Sequence, residues 1–106
     1  MSSEARVSTE TTVTQAAVAA AVEQVLLGEK CTIDRRSPDG LTLDFTTRKT
    51  MLSWELEGQS VVSPSAQGSR IDLTLNTHHN RPTAMLDGAK NAKSAKKLMD
   101  KISAAL

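Results

Sequence analysis

The sequence is poor in aromatic residues. Phe45 and Trp54 are the only two in a chain of 106 residues, and tyrosine is absent. Proteins that recognise nucleic-acid bases or sugars commonly stack them on exposed aromatic rings. The composition therefore argues against nucleic acid as the partner.

Cysteine is equally scarce, because Cys31 is the only one and an internal disulfide is impossible. The two histidines, His78 and His79, are adjacent, and no Cys or His stands at zinc-site spacing, so we predict no metal site and no cofactor. The N-terminus lacks the basic start and apolar run of a signal peptide, and no segment approaches the roughly 20 apolar residues of a membrane span. We expect a cytoplasmic protein without a membrane span.

Large apolar residues are also few. Leu, Ile, Val and Phe number 22, about 21% of the chain, whereas Ala alone contributes 13. The formal net charge of +1 does not favour disorder. The length allows one hydrophobic core, and we therefore predict a single domain over residues 1–106 with residues 1–5 disordered.

The N-terminal third has the pattern of a strand followed by a helix. Residues 6–11 alternate with a period of two, which is typical of a strand. Thr14 suits the N-cap of a helix over residues 15–27, and Gly28 follows where a left-handed C-cap residue belongs. The apolar positions of this helix share one face: Val18, Val22, Val25 and Leu26.

Residues 31–46 have the pattern of a β-hairpin. Ser37-Pro38-Asp39-Gly40 has the chemistry of a type I turn followed by a left-handed glycine, and the residues on each side alternate between apolar and polar. A three-residue loop at 38–40 would set the register of the two strands. The resulting cross-strand pairs are Ile33 with Phe45, and Asp34 with Asp44.

Three further strands are predicted at 52–57, 61–62 and 71–76. Gly58-Gln59 fits a two-residue turn between the first two. Val62 points outward in this interpretation, Pro64 ends its strand, and residues 65–69 form a loop. Together with the preceding strands they form one antiparallel sheet with an apolar and a polar face.

The chain ends in an amphipathic helix that begins after Asp87, or one turn earlier at Thr83. The side chains of its apolar stripe are small in the first half and large in the second. The small residues either pack closely on the sheet or leave a groove beside it. The stripe comprises Gly88, Ala92, Ala95, Met99, Ile102 and Leu106.

Both helices need the one apolar face of the sheet, which places them on the same side. The predicted fold class is α+β, with a single antiparallel sheet in the order β-α-β-β-β-β-β-α. Leu52-Ser53-Trp54 and Gly68-Ser69-Arg70-Ile71-Asp72-Leu73 resemble segments of small bacterial domains of this shape. The whole arrangement resembles a shortened helix-grip domain, the architecture of START-related lipid carriers, plant pathogenesis-related proteins and polyketide cyclases. The resemblance implies a ligand cavity between the last helix and the sheet.

The charges are unevenly distributed. Residues 1–80 sum to −3 and residues 81–106 to +4. The predicted polar face of the sheet carries Asp34, Asp44, Glu55 and Asp72, which would suit a basic partner or a weak cation site, although screened surface acids are the simpler interpretation. A basic stripe on the last helix would suit nucleic acid, anionic lipid or an acidic partner, and a solvated helix face is its simpler interpretation. The stripe comprises Lys90, Lys93, Lys97 and Lys101.

No convergent set of titratable residues appears, so we predict no catalytic residue and no enzyme. A closed cavity of about 300 Å³ would cost roughly 7 kcal/mol in a domain of this size, which favours an open cleft. We predict a binding protein that takes a small apolar or amphipathic ligand in a groove between the C-terminal helix and the sheet. The alternative is a protein-interaction module that uses the acidic sheet face or the basic helix. The candidate groove residues are Trp54, Leu43, Ala92, Ala95 and Met99.

Overall fold

The computed structural model describes residues 4–48, 55–77 and 87–106. Within these ranges, five strands form one antiparallel sheet and two helices pack on one of its faces, in the order β-α-β-β-β-β-α. This confirms the α+β class, with one strand fewer than predicted. The elements are β1 (Ala5–Thr11), α1 (Gln15–Gly28), β2 (Thr32–Arg36), β3 (Thr42–Thr46), β4 (Leu56–Ser65), β5 (Gly68–Thr77) and α2 (Asp87–Ala104).

The strands lie in the order β1-β5-β4-β3-β2, which puts β4 at the centre and β1 and β2 at the edges. Consecutive strands from β2 to β5 are neighbours, and β1 joins the sheet beside β5. The edge strand β2 carries Asp34, Arg35 and Arg36, whose charges oppose pairing with another chain. We call the face covered by the helices the inner face and the opposite one the outer face.

The predicted break at Gly58-Gln59 is wrong, because the two residues continue β4. Gly58 pairs with Phe45 on one side and Leu75 on the other, and the Phe45 ring fills the space that a side chain at Gly58 would need. Since the strand runs straight through, Val62 faces inward and is buried. The sequence pattern alone did not distinguish a glycine that turns the chain from one that makes room for a ring.

The predicted end of the strand at Pro64 is also wrong. Pro64 pairs with Ser69 of β5 but lies beyond the end of β3, so β4 has a neighbour on one side only at this point. Proline has no backbone N–H group, so it is tolerated in a strand at a position where a second neighbouring strand does not require that hydrogen bond. The predicted loop at 65–69 is therefore reduced to two turn residues, 66 and 67.

The hairpin between β2 and β3 keeps one predicted pair and loses the other. Ile33 does pair with Phe45, but a β-bulge follows and Arg35, not Asp34, pairs with Asp44. The cause is the loop, which is one residue longer than predicted because Ser37 pairs with Thr42 through its backbone N–H. The bulge at Asp34 absorbs the extra residue and separates two like charges.

Both ends of α1 are capped by local interactions. The Thr14 side chain accepts a hydrogen bond from the Ala17 amide, which confirms it as the N-cap. At the other end the left-handed residue is Lys30, with φ of 64°, and not Gly28. The amides of Lys30 and Cys31 donate to the carbonyls of Leu27 and Leu26, which is the hydrogen-bond pattern of a Schellman motif.

One hydrophobic core lies between the inner face and the helices. Helix α1 packs against β4, and α2 packs against β1 and β5. Ala5, which we expected in a disordered N-terminus, is buried and pairs with Leu75. The other buried apolar residues are Val18, Val22, Leu26, Cys31, Leu43, Phe45, Val62, Ile71, Leu73, Leu75, Ala95, Leu98, Met99 and Ile102.

Candidate functional site

The centre of the inner face holds a polar group. Ser60 lies on the central strand β4, between its cross-strand partners Leu43 and Leu73, and is only 1% exposed. Among the residues that the structure describes, no group forms a hydrogen bond with its hydroxyl. A buried hydroxyl without a partner costs about 1–3 kcal/mol, so the sheet carries here a hydrogen-bonding capacity that the described residues do not use.

The helix above the sheet also turns a polar residue inward. Asn91, in the first half of α2, is 3% exposed, whereas Ala92 beside it faces solvent. The predicted apolar stripe is therefore wrong in this part of α2, where the buried side includes Asn91 and not Ala92. The large side chains of Leu98 and Met99 set the orientation of the helix on the sheet, which aligns Asn91 with Ala95 and turns Ala92 away.

The candidate groove residues are only partly brought together. Leu43, Ala95 and Met99 are all buried in the core between α2 and the sheet. Ala92 is exposed and does not belong to this group. Trp54 lies outside the described residues. Leu106, at the end of the predicted stripe, is 36% exposed and is likewise not part of the core.

Sequence reasoning missed Ser60 and Asn91. A signal for Ser60 was present in the spacing of the sequence. Every second residue of a continuous strand lies on the same face, and this places Ser60 with Leu56, Gly58 and Val62. The assumed turn at Gly58 concealed it. Asn91 carried no such signal, since a polar residue in an amphipathic helix is expected on the solvent side.

The outer face contains a concavity of about 540 Å³ that crosses the sheet from β1 to β2. Four acidic residues and one arginine line it, among polar side chains such as Gln59 and Thr74. The concavity therefore has an excess of negative charge. Its charged residues are Glu4, Arg6, Asp34, Asp44 and Glu57.

Two of the four predicted acidic face residues lie in this concavity. The Asp34 carboxylate accepts a hydrogen bond of 2.6 Å from the Thr46 hydroxyl, and Asp44 accepts one of 3.0 Å from the Gln59 amide. Asp72 lies elsewhere on the outer face and forms an ion pair of 3.1 Å with Arg70. The predicted acidic residues therefore do not form one site, because Asp34 and Asp44 line the concavity and Asp72 does not.

Glu55, the fourth predicted acid, immediately precedes β4 and does not line the concavity. Among the residues that the structure describes, no three His, Cys, Asp or Glu side chains converge as metal ligands. His78 and His79 lie outside those residues.

The predicted basic stripe lies on the solvent side of α2. Lys90, Lys93, Lys97 and Lys101 are all exposed. The ammonium group of Lys101 approaches the carboxylate of Glu29 to 2.6 Å, which joins the end of α2 to the end of α1. In the described ranges the other three lysines form no ion pair.

The one cysteine is buried at the start of β2. Burial raises the pKa of the Cys31 thiol, and the nearby Glu29 carboxylate raises it further. A thiol in this environment stays protonated near neutral pH and is a poor nucleophile. Cys31 is therefore a core residue.

The fold was compared with those of solved structures. The chain is similar to the crystal structure of Ara h 8.0201, a Bet v 1-like protein, with 12% identity over 95% of both chains and a TM-score of 0.56. The crystal structure of TTHA0849 from Thermus thermophilus is aligned at 16% identity over 96% of this chain and 90% of that one, with a TM-score of 0.41. No protein-family model and no curated protein matches the chain. The likeness to Ara h 8.0201 supports a helix-grip-like fold.

Neither helix within the described ranges combines the length and the apolar character needed to cross a membrane.

Proposed function

We propose that this protein is a small, non-enzymatic binding domain that holds an amphipathic ligand between α2 and the inner face of the sheet. The helix-grip-like architecture supports this proposal, because it lays a long helix over one face of the sheet. Ligand sites are mostly apolar, with a few polar groups that fix orientation. The inner face has this composition.

The observation that carries the proposal is the unpartnered hydroxyl of Ser60. Leu43 and Leu73 flank it, so a ligand that reached Ser60 would place its apolar part against leucine side chains and one polar atom on the hydroxyl. Such a contact would recover the hydrogen bond that the protein leaves unmade. A ligand with one hydroxyl or carbonyl on a short apolar chain fits this chemistry.

The chemistry of the described residues favours binding over catalysis. Cys31 is buried with a raised pKa, and the outer-face carboxylates are already hydrogen bonded on an open surface. An acid/base pair needs desolvation to separate its two pKa values, and a solvated sheet face does not supply it. We therefore propose that the protein binds its ligand without converting it chemically.

The test compares Ser60→Ala with Ser63→Ala. Ser63 lies on the same strand, three residues away, on the outer face. The probe is n-octanol, with n-octane as the matched molecule without a hydroxyl. We expect n-octanol to shift the amide resonances of Leu43 and Leu73 and the fluorescence of Trp54, the only tryptophan.

Ser60→Ala is expected to weaken n-octanol binding about tenfold, the value of one buried hydrogen bond, and Ser63→Ala to leave it unchanged. Binding of n-octane should be the same in all three proteins. The proposal is wrong if n-octanol leaves the inner-face resonances unchanged, or if both serine variants bind it as the unmodified protein does.

A second candidate function is supported by the outer concavity. Its excess of carboxylates and its volume of about 540 Å³ would suit a lysine or arginine side chain of a protein partner. The test adds a short oligolysine peptide to the protein and follows the resonances of β3 and β4. Salt-sensitive shifts that disappear in Asp44→Asn but persist in Asp72→Asn are expected, because Asp72 is already paired with Arg70. Identical behaviour of the two variants would reject this candidate.

A further inference from the structure

The solvent-exposed side of helix α1 carries no charged residue. Its exposed residues are Ala16, Ala17, Ala20, Gln24, Leu27 and Gly28. The only charged residue within the helix, Glu23, is half-buried and forms an ion pair of 2.8 Å with Arg36 at its side. Surface helices normally carry charged residues on the solvent face, so an uncharged and largely apolar one is a candidate contact surface.

Leu27 is the most exposed large apolar residue among those described, at 50%. It lies in the last turn of α1, two residues before Glu29. The alanines before it make the surface flat, because a methyl group projects little from the helix. A flat apolar surface with one protruding leucine has no groove in which a peptide side chain would be held.

The basic stripe of α2 borders this surface. The two helices contact each other, and the ion pair between Lys101 and Glu29 joins the end of the stripe to the C-terminal end of α1, two residues after Leu27. Lys90, Lys93 and Lys97 extend from that point along the exposed side of α2. The helical side of the molecule thus combines a flat apolar strip with a row of ammonium groups.

The opposite side of the molecule has the opposite charge. The outer face of the sheet carries the acidic concavity with Asp34 and Asp44, together with Glu10 and the paired Asp72. Its acidic residues outnumber its arginines, which are Arg6, Arg35 and Arg70. The charge difference between residues 1–80 and residues 81–106 therefore becomes a charge difference between the outer face of the sheet and the helical side of the molecule. A charged planar surface would attract one face and repel the other, and so would orient the molecule.

We propose that the helical side docks on an anionic lipid surface. The lysines of the stripe would lie at the level of the anionic headgroups, and Leu27 would enter the boundary between headgroups and acyl chains. Lysines near an anionic surface and apolar side chains at the interface are the two contributions that hold peripheral proteins on membranes. This inference does not depend on a ligand in the core.

The composition of the surface favours lipid over nucleic acid. The stripe consists entirely of lysine, whereas nucleic-acid sites favour arginine and exposed aromatic rings. Phe45, the aromatic residue that the structure describes, is buried. An acidic protein partner could pair with the lysines, but such pairing would make no use of the exposed Leu27, which a lipid surface would take up.

The experiment measures binding of the full chain to phosphatidylcholine vesicles with and without phosphatidylglycerol, by co-sedimentation. We expect binding only to the anionic vesicles and a decrease of more than tenfold between about 0.1 M and about 0.5 M salt, because the shorter Debye length screens the lysines. Changing Lys90, Lys93 and Lys97 to Glu together should lower binding at least tenfold. Leu27→Ser should lower it several-fold at the same salt.

The matched control reverses three charges on the other side: Arg6→Glu, Arg35→Glu and Arg70→Glu in one protein. It has the same net charge as the lysine variant, and we expect it to retain vesicle binding. Circular dichroism before sedimentation verifies that each variant is folded. The proposal is overturned if anionic vesicles are not bound, if the two triple variants lose binding equally, or if a DNA duplex or an oligoglutamate peptide is bound while vesicles are not.

Discussion

The aromatic ring of Phe45 lies directly over Gly58, its cross-strand partner on β4. A Cβ atom at position 58 would overlap the ring, and Phe45 itself is 1% exposed, so that the ring has no free space into which to move. The pair links the central strand to the core: the glycine makes room, and the ring replaces the missing side chain.

Gly58→Ala should therefore destabilise the protein by about 1–3 kcal/mol through overpacking. Gly28→Ala is the matched control, since a Cβ there has no atom within 4 Å and its φ is not in the left-handed region. We expect the control to be neutral or slightly stabilising, because alanine favours the helix. Urea unfolding of both variants measures the difference, and an equal effect of the two changes would contradict the packing argument.

Lys30→Gly should stabilise the protein by about 0.5–1 kcal/mol. Lys30 is held in the left-handed region with φ of 64° by the Schellman hydrogen bonds that end α1, and a side chain raises the energy of that conformation. Lys30→Ala keeps the Cβ and removes the charge, so it should give no comparable gain. Thermal unfolding of the two variants distinguishes them. A gain in Lys30→Ala equal to that in Lys30→Gly would show that charge and not backbone strain is relieved.

Two buried serines should respond in opposite ways to replacement by alanine. The Ser69 hydroxyl donates a hydrogen bond of 2.7 Å to the Val13 carbonyl and ties the start of α1 to β5, so Ser69→Ala should cost about 1–2 kcal/mol. The Ser60 hydroxyl has no partner within the described part of the chain, and Ser60→Ala should leave the free energy of unfolding unchanged or raise it. Urea unfolding without ligand tests both. A similar loss in the two variants would show that Ser60 has a partner in the free protein.

The turn between β2 and β3 should contribute to stability in a pH-dependent way. The Ser37 hydroxyl and the Leu41 amide donate to the Asp39 carboxylate and lower its pKa below the ordinary value of 3.8. A carboxyl whose pKa is lower in the folded than in the unfolded state stabilises the fold above the unfolded pKa. That contribution is lost as the pH falls from about 3.8 through the folded pKa.

The measurement is the difference in unfolding free energy between the protein and Asp39→Asn, determined in urea from about pH 6 to about pH 2. We expect the difference to shrink as the pH falls through this window. A difference that stays constant with pH would mean that the Asp39 carboxyl titrates alike in the folded and unfolded chains.

Some features of the fold followed directly from local sequence. Thr14 before an apolar helical face gave the start of α1, and Pro38 followed by Gly40 gave a turn in which Gly40 has φ of 75°. Alternation over residues 71–76 gave β5 with its inward Leu73 and Leu75. These features depend on hydrogen bonds and periodicities within a few residues, and the sequence contains that information.

The candidate site was less predictable, because it depends on register and helix rotation. Ser60 reaches the inner face only because β4 runs through Gly58, and that requires Phe45 from another strand. Asn91 faces the sheet because Leu98 and Met99, two turns later, fix the rotation of α2. Both are consequences of contacts between elements, which a periodicity in one segment does not specify.

The sequence by itself determined the layers of this protein: one sheet with an apolar face, two helices that each carry an apolar face, and opposite charges in the two parts of the chain. Only the tertiary structure decided which residues meet. It joined two predicted strands into one, separated Asp34 from Asp44 with a bulge, and turned a charge difference along the chain into a difference between two faces. The physical reason is that apolar periodicity selects a face, whereas the position along and around that face is set by the volumes of the side chains packed against it.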